Sequence, residues 1–125
     1  MTHDLRLGVE EMDSNHEAYV HLLKALQETQ GVDMNLFAQL IDETKRHFLQ
    51  EEKLMMKHLY PEREQHTGDH VQLIEEMETF FKMAASLPPM ARSYIDSYAY
   101  DKFRRHTMFY DLDLAKFLRS VQAAL

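Results

Sequence analysis

Cysteine is absent from the chain. That excludes a disulfide framework, a thiolate zinc site and a cysteine nucleophile, and it leaves nitrogen and oxygen ligands for any metal. Tryptophan is absent too, and glycine and proline number three each. So few turn formers cannot punctuate a sandwich or barrel of many short strands. Basic residues are outnumbered, 14 against 21 acidic ones, for a formal charge of −7. Bulk electrostatics therefore oppose binding to nucleic acid or to an anionic membrane surface. No apolar run reaches the about 18 residues of a membrane span, so no membrane insertion is expected. Met1 to Arg6 lack the apolar stretch of a signal peptide, which makes a cytoplasmic location the expectation. The 125 residues, 45% of them hydrophobic, suit one domain over 1–125 with one core.

What remains is a chain of long helices. Gly31, Pro61 and Pro88-Pro89 are the strong internal breakers, and they cut the sequence into four stretches of roughly 20–35 residues. The expected fold class is all-α, with four helices. The first helix is expected to open after Ser14-Asn15-His16-Glu17, where hydroxyl and carboxylate can cap each other's amides, and to close near Gly31. Asp33 is the expected N-cap of the second, which runs to about Tyr60. Pro61 opens the third, with Glu62 and Glu64 beside its positive end, and the fourth covers most of Met90 to Leu125 from a start at Pro89 or Ser93.

Eight histidines are then the feature to explain. Each helix has an apolar stripe with ionisable residues in its middle. The stripes are Met12, His16, Tyr19, Leu23 and Leu26; Leu36, Leu40, His47, Glu51, Leu54 and His58; His66, His70, Leu73, Met77, Phe80 and Ala84; and Ala99, Phe103, His106, Tyr110, Leu114, Phe117 and Val121. A face that is apolar on both sides of a histidine points inward, and buried imidazoles cost several kcal/mol unless hydrogen-bonded, ion-paired or metal-bound. Inward histidines on four helices ask for a shared partner at the bundle centre.

His47-x-x-x-Glu51 and His66-x-x-x-His70 each place two metal-competent side chains one turn apart. Either pattern alone is weak, and His58-x-x-x-Glu62 is a decoy, because Pro61 breaks the helix that would align it. The combination is what has weight: His16, His47 with Glu51, His66 with His70, and His106, one set per helix on its inward stripe. Five histidines and a carboxylate exceed the needs of one four-coordinate ion. Two metals fit better, and imidazole with bridging carboxylate suits iron. A second carboxylate is expected from the fourth helix. Asp113, seven residues after His106, shares its ideal face, whereas Asp111 is displaced by about 140°.

Gly8-Val9-Glu10-Glu11-Met12-Asp13 leading to His16, His47-Phe48-Leu49-Gln50-Glu51-Glu52, His58-Leu59-Tyr60-Pro61, His66-x-x-x-His70 and His106-x-x-x-x-Asp111 together resemble the hemerythrins, and the bacteriohemerythrins in particular, over nearly the whole chain. The resemblance implies an all-α, antiparallel up-down four-helix bundle with a non-haem di-iron centre (Fe2+/Fe3+). One iron would take His66, His70 and His106, and the other His16 and His47. Glu51, Asp111 and an oxo or hydroxo group would bridge them, and an open position on the two-histidine iron would take O₂. It selects Asp111 over Asp113, and a π-bulge after His106 would turn Asp111 inward. The chain departs from the family where Trp-Leu-x-x-His-Ile is common: it has Lys102-Phe103-x-x-His106-Thr107, which leaves Lys102 one turn from the site.

Of the other histidines, His3 is expected to be terminal, His21 to face solvent and His58 to lie at a helix end. The nine methionines and Phe48, Phe80, Phe81, Phe103, Phe109 and Phe117 are expected to fill the core, with Phe48 and Phe103 first in line for a dry pocket wall. Glu75-Glu76-Glu78 is expected to be a solvated face. The function implied is reversible O₂ binding for transport, storage or delivery to a respiratory or oxygen-using enzyme, without catalysis. The rivals are a di-iron oxidase, peroxidase-like or NO-reducing enzyme and an O₂- or iron-sensing module; no substrate motif supports the enzyme, and a sensor of this size would signal through a partner.

Overall fold

The computed structural model describes residues 6–123, so His3 lies outside the described residues. The fold is an antiparallel four-helix bundle without strands among those residues. Helices α1 (Glu10–Glu28), α2 (Met34–Lys57) and α3 (Arg63–Ser86) are followed by α4 (88–123), whose α-helical course is interrupted by π-helical turns at Tyr94–Tyr98 and Thr107–Asp111. Links of a few residues, and of Leu87 alone before α4, force neighbouring helices to run in opposite directions. No helix is long and apolar enough to cross a membrane among the described residues.

Helix α1 begins one turn earlier than the Ser14 capping pattern suggests. Its N-cap is Val9, and Ser14 lies inside the helix. Asp13 does the work instead, its carboxylate accepting the Leu7 (2.7 Å) and Gly8 (3.1 Å) backbone N–H groups, with Glu10 and Glu11 also near the positive helix end. Gly8 has φ +80°, a left-handed conformation in which a side chain is strained, so the approach to α1 favours glycine. At the other end, Arg92 of α4 donates to the carbonyls of Gln27, Thr29 (2.7 Å) and Gly31 (2.9 Å), satisfying groups that α1 itself leaves open. Asp33 caps α2 as expected, accepting from Leu36 N at 3.0 Å. Helix α3 starts at Arg63, two residues after Pro61, because Leu59 (φ 52°) and Glu62 (φ −103°, ψ 23°) are still in the turn.

All five α1 stripe residues are buried. On α2 the buried face is rotated by one position: Phe37, Leu40, Ile41, Thr44, His47, Phe48, Glu51 and Met55 are inside, whereas Leu36, Leu54 and His58 are only partly covered. The core has two apolar parts with a polar layer between them. Tyr19, Leu23, Leu40, Met77, Ala99 and Phe103 belong to one, and Met12, Met55, Leu114 and Leu118 to the other. His16, His47, Glu51, His106 and Asp111 fall between these groups on their own helices, so the polar layer is closed by hydrocarbon above and below. Several expected core fillers are outside. Phe109 is 77% exposed, and Met34, Met56, Met90 and Met108 are exposed as well, because each falls off its helix's inward stripe.

Candidate metal centre

All seven residues singled out from the sequence are buried. Glu51, His66, His70, His106 and Asp111 each bring one ligand atom within 4.8 Å of all the others. The rings of His66, His70 and His106 converge, with centroids 4.6, 4.9 and 5.0 Å apart. Glu51 Oε1 lies 3.1 Å from His66 Nε2 and 3.0 Å from His70 Nε2. Asp111 faces two ways: Oδ1 is 2.9 Å from His66 Nε2 and 3.0 Å from His106 Nε2, while Oδ2 is 2.8 Å from His16 Nε2. His47 stands apart from this knot, its Nε2 3.3 Å from Glu43 Oε2.

The π turn explains why Asp111 is at the centre. Leu112 N–H bonds to the Thr107 carbonyl five residues back, so the helix takes an extra residue over that turn and rotates Asp111 onto the face of His106. Asp111 is 1% exposed. Asp113, the choice of ideal periodicity, is exposed and accepts the Tyr60 hydroxyl.

Burial alone would lower the histidine pKa values, but carboxylates reverse this at three of them. Asp111, Asp69 and Glu51 raise His106 to about 10. Asp111 raises His16, and Asp111 with Glu51 raises His66. At His47 burial wins, with Arg46 and His16 adding to it, and the pKa is lowered despite Glu43 and Glu51. Asp111 is itself held well below the usual carboxylate range: burial opposes this, and His106, His16 and His66 outweigh it. The layer is thus a dense array of groups that protons and metal cations compete to neutralise.

The residues fit a metal. His106 Nε2 and Asp111 Oδ1 are buried and close, with His66 Nε2 also beside Asp111 Oδ1, yet neither atom is hydrogen-bonded. Buried polar atoms are nearly always paired, so a shared cation between them accounts for what their mutual geometry does not. Outer carboxylates orient the rings as metal-bound histidines require. His106 Nδ1 is 2.5 Å from Asp69 Oδ2 and His70 Nδ1 is 2.9 Å from Glu52 Oε2, which leaves each Nε2 for the centre. Sequence reasoning missed Asp69, Glu52 and Glu43. The usable signal was a carboxylate beside or one turn from each ligand position, on a helix facing an imidazole. Asp69→Asn should weaken metal binding about 10–100-fold by loosening the His106 ring, as measured by competition with a chelator; unchanged affinity would make Asp69 a surface acid only.

Aromatic rings flank the layer. Phe48 stacks on His70 (3.8 Å between centroids), and Phe103 meets His16 edge-on (5.4 Å) while stacking on Tyr19 (3.9 Å). Lys102 neither points freely outward nor enters the layer. It pairs with Glu76, so the solvated face expected for Glu75-Glu76-Glu78 is interrupted at Glu76, which is half-buried with Oε1 unpartnered. This pair, with Asp69, Leu73, Tyr110 and His106, borders a cleft of about 220 Å³. His21 is exposed, and His58 is the residue that ends α2, away from the metal cluster.

Three convergent imidazoles, a fourth across a shared carboxylate and a second carboxylate on the same knot define a histidine–carboxylate cation centre inside a helical bundle. A family model, the hemerythrin HHE cation binding domain, matches residues 7–118, and the chain belongs to that family. Comparison with curated proteins and with solved structures finds no match.

Proposed function

We propose that this protein binds O₂ reversibly at a non-haem di-iron centre, as a carrier, store or delivery protein. The observation that supports it most is the two-sided placement of Asp111, with Oδ1 against His66 and His106 and Oδ2 against His16. A carboxylate with imidazoles on both sides suits a bridged pair of ions; a single ion would leave one side unused. His66, His70 and His106 would hold one iron, His16 and His47 the other, and Glu51 and Asp111 would lie between them. When bound, an iron pair supplies two electrons to O₂ and recovers them when O₂ leaves.

The chain's own residues limit what else can happen. Two imidazoles, two shared carboxylates and a bridging oxo or hydroxo group would leave one coordination position on the iron held by His16 and His47, enough for one small ligand and too few for O₂ and an organic substrate together. Phe103 and the apolar groups above and below the layer keep water out, which favours holding O₂ over reacting it onward. Asp69 and Glu52 hold the outer Nδ1 protons, so the inner nitrogens present lone pairs. A respiratory or oxygen-using enzyme is the partner such a protein would serve.

Metal analysis combined with optical spectra through cycles of O₂ addition and removal tests this. Two irons per chain and about one O₂ per iron pair, released when O₂ is removed, are expected. Saturation at one metal, or zinc taken in preference from iron-replete medium, would end the di-iron assignment. Immediate irreversible oxidation by O₂ would move the protein to the enzyme class.

A further inference from the structure

Thr107 has no accessible surface, and its hydroxyl has no hydrogen-bond partner. At two other helical threonines the hydroxyl is spent on the carbonyl one turn back: Thr44 Oγ1 donates to Leu40 O at 2.7 Å and Thr79 Oγ1 to Glu75 O at 2.8 Å. The Thr107 hydroxyl makes no such bond and is left without a partner. A buried hydroxyl without a partner destabilises a fold, and an apolar residue of the same shape would remove that penalty.

The position of Thr107 indicates what the hydroxyl faces. Ala99, Phe103, Thr107 and Asp111 follow one another at four-residue steps along α4, and all four are buried. Helix α1 meets this line at three of them. Tyr19 Oη donates to Ala99 O at 3.3 Å, the His16 ring lies edge-on to Phe103, and His16 Nε2 lies beside Asp111 Oδ2. Thr107 lies four residues from each of the two residues that touch His16, Phe103 and Asp111. It therefore borders the two-histidine half of the layer, where the proposed centre keeps room for a ligand.

We propose that the Thr107 hydroxyl donates a hydrogen bond to the small ligand bound beside His16, selecting diatomic and linear triatomic ligands whose outer atom is a hydrogen-bond acceptor. The inference rests on the di-iron function proposed above.

The test uses azide, which forms a coloured complex with iron(III) and has an acceptor nitrogen at its far end, titrated into the oxidised, iron-loaded wild type, Thr107→Val and Thr107→Ser. Thr107→Val should load two irons and bind azide about fivefold more weakly, the loss expected for one neutral hydrogen bond. Thr107→Ser should stay within about twofold of wild type, since it keeps the donor. The azide stretching band should shift between H₂O and D₂O in wild type and not in Thr107→Val. In the metal-free state Thr107→Val should melt at or above wild type, which a structural role for the hydroxyl would not allow. Equal azide affinity in wild type and Thr107→Val, both carrying two irons, would overturn the Thr107 proposal and leave the di-iron centre standing. Failure of wild type to load an iron pair would overturn both. If Thr107→Val does not load, Thr107→Ala against Thr107→Ser gives the same comparison.

Discussion

Removing the metal should lower the melting temperature by about 10–20 °C, because the ion is the partner that the polar layer otherwise lacks. A ligand present at about a thousand times its dissociation constant adds about 4 kcal/mol to folding when it binds the native state alone. In a domain of this size each kcal/mol moves the midpoint by about 3–5 °C. The structural reason is the confinement of the layer between two apolar groups, which denies its charges solvation. His16, Glu51, His66, His70, His106 and Asp111 must neutralise one another when no cation is present, and His106 Nε2 and Asp111 Oδ1 do so without a hydrogen bond. Scanning calorimetry of iron-loaded and chelator-stripped protein measures the difference. Coincident transitions would mean that the imidazoles and carboxylates satisfy each other, and the metal would then be a ligand of a preformed site with no part in holding the bundle together.

The sequence shows this layer well because burial of an ionisable residue leaves a readable sign, a charge in the middle of an apolar stripe. Met12, His16, Tyr19, Leu23 and Leu26 step along one face of α1, and all five are inside. The stripe on α2 was harder to place, because two neighbouring faces are both apolar and Phe37 and Met55 displace Leu36 and Leu54 from the core. Helix starts fared worse. Ser14 and Glu17 have the spacing of a cap, but nothing local records that Asp13 can reach back to Leu7 and Gly8 and start α1 earlier. Asp69, Glu52 and Glu76 were missed for a related reason: a carboxylate at the edge of a helix face looks solvated until the facing helix presents an imidazole nitrogen or a lysine to it.

Glu51→Ala and Asp111→Ala should each reduce bound iron from the proposed two per chain to one or fewer, whereas Asp113→Ala should leave it nearly intact. The two aspartates separate two registers of one helix. At 3.6 residues per turn a position five residues after His106 is turned away by about 140°, and one seven residues after it comes back into line. The π turn over Thr107–Asp111 adds a residue to that turn and exchanges their environments. Asp111 then touches His16, His66 and His106, while Asp113 takes the Tyr60 hydroxyl at the surface. Losing Asp111 removes the only carboxylate among the described residues with oxygens against imidazoles of both α1 and α3, so both proposed iron positions lose a ligand at once. Losing Glu51 strips the acceptor shared by His66 and His70 and leaves both buried Nε2 atoms without it. Losing Asp113 costs about one hydrogen bond, roughly 1 kcal/mol, and Tyr60 keeps Glu62 at 3.4 Å as an alternative acceptor. Metal analysis of the three purified variants, with helicity checked by circular dichroism, decides the matter. Iron retained in Asp111→Ala and lost in Asp113→Ala would show that the loaded protein follows the ideal helical register, with the π turn absent from it.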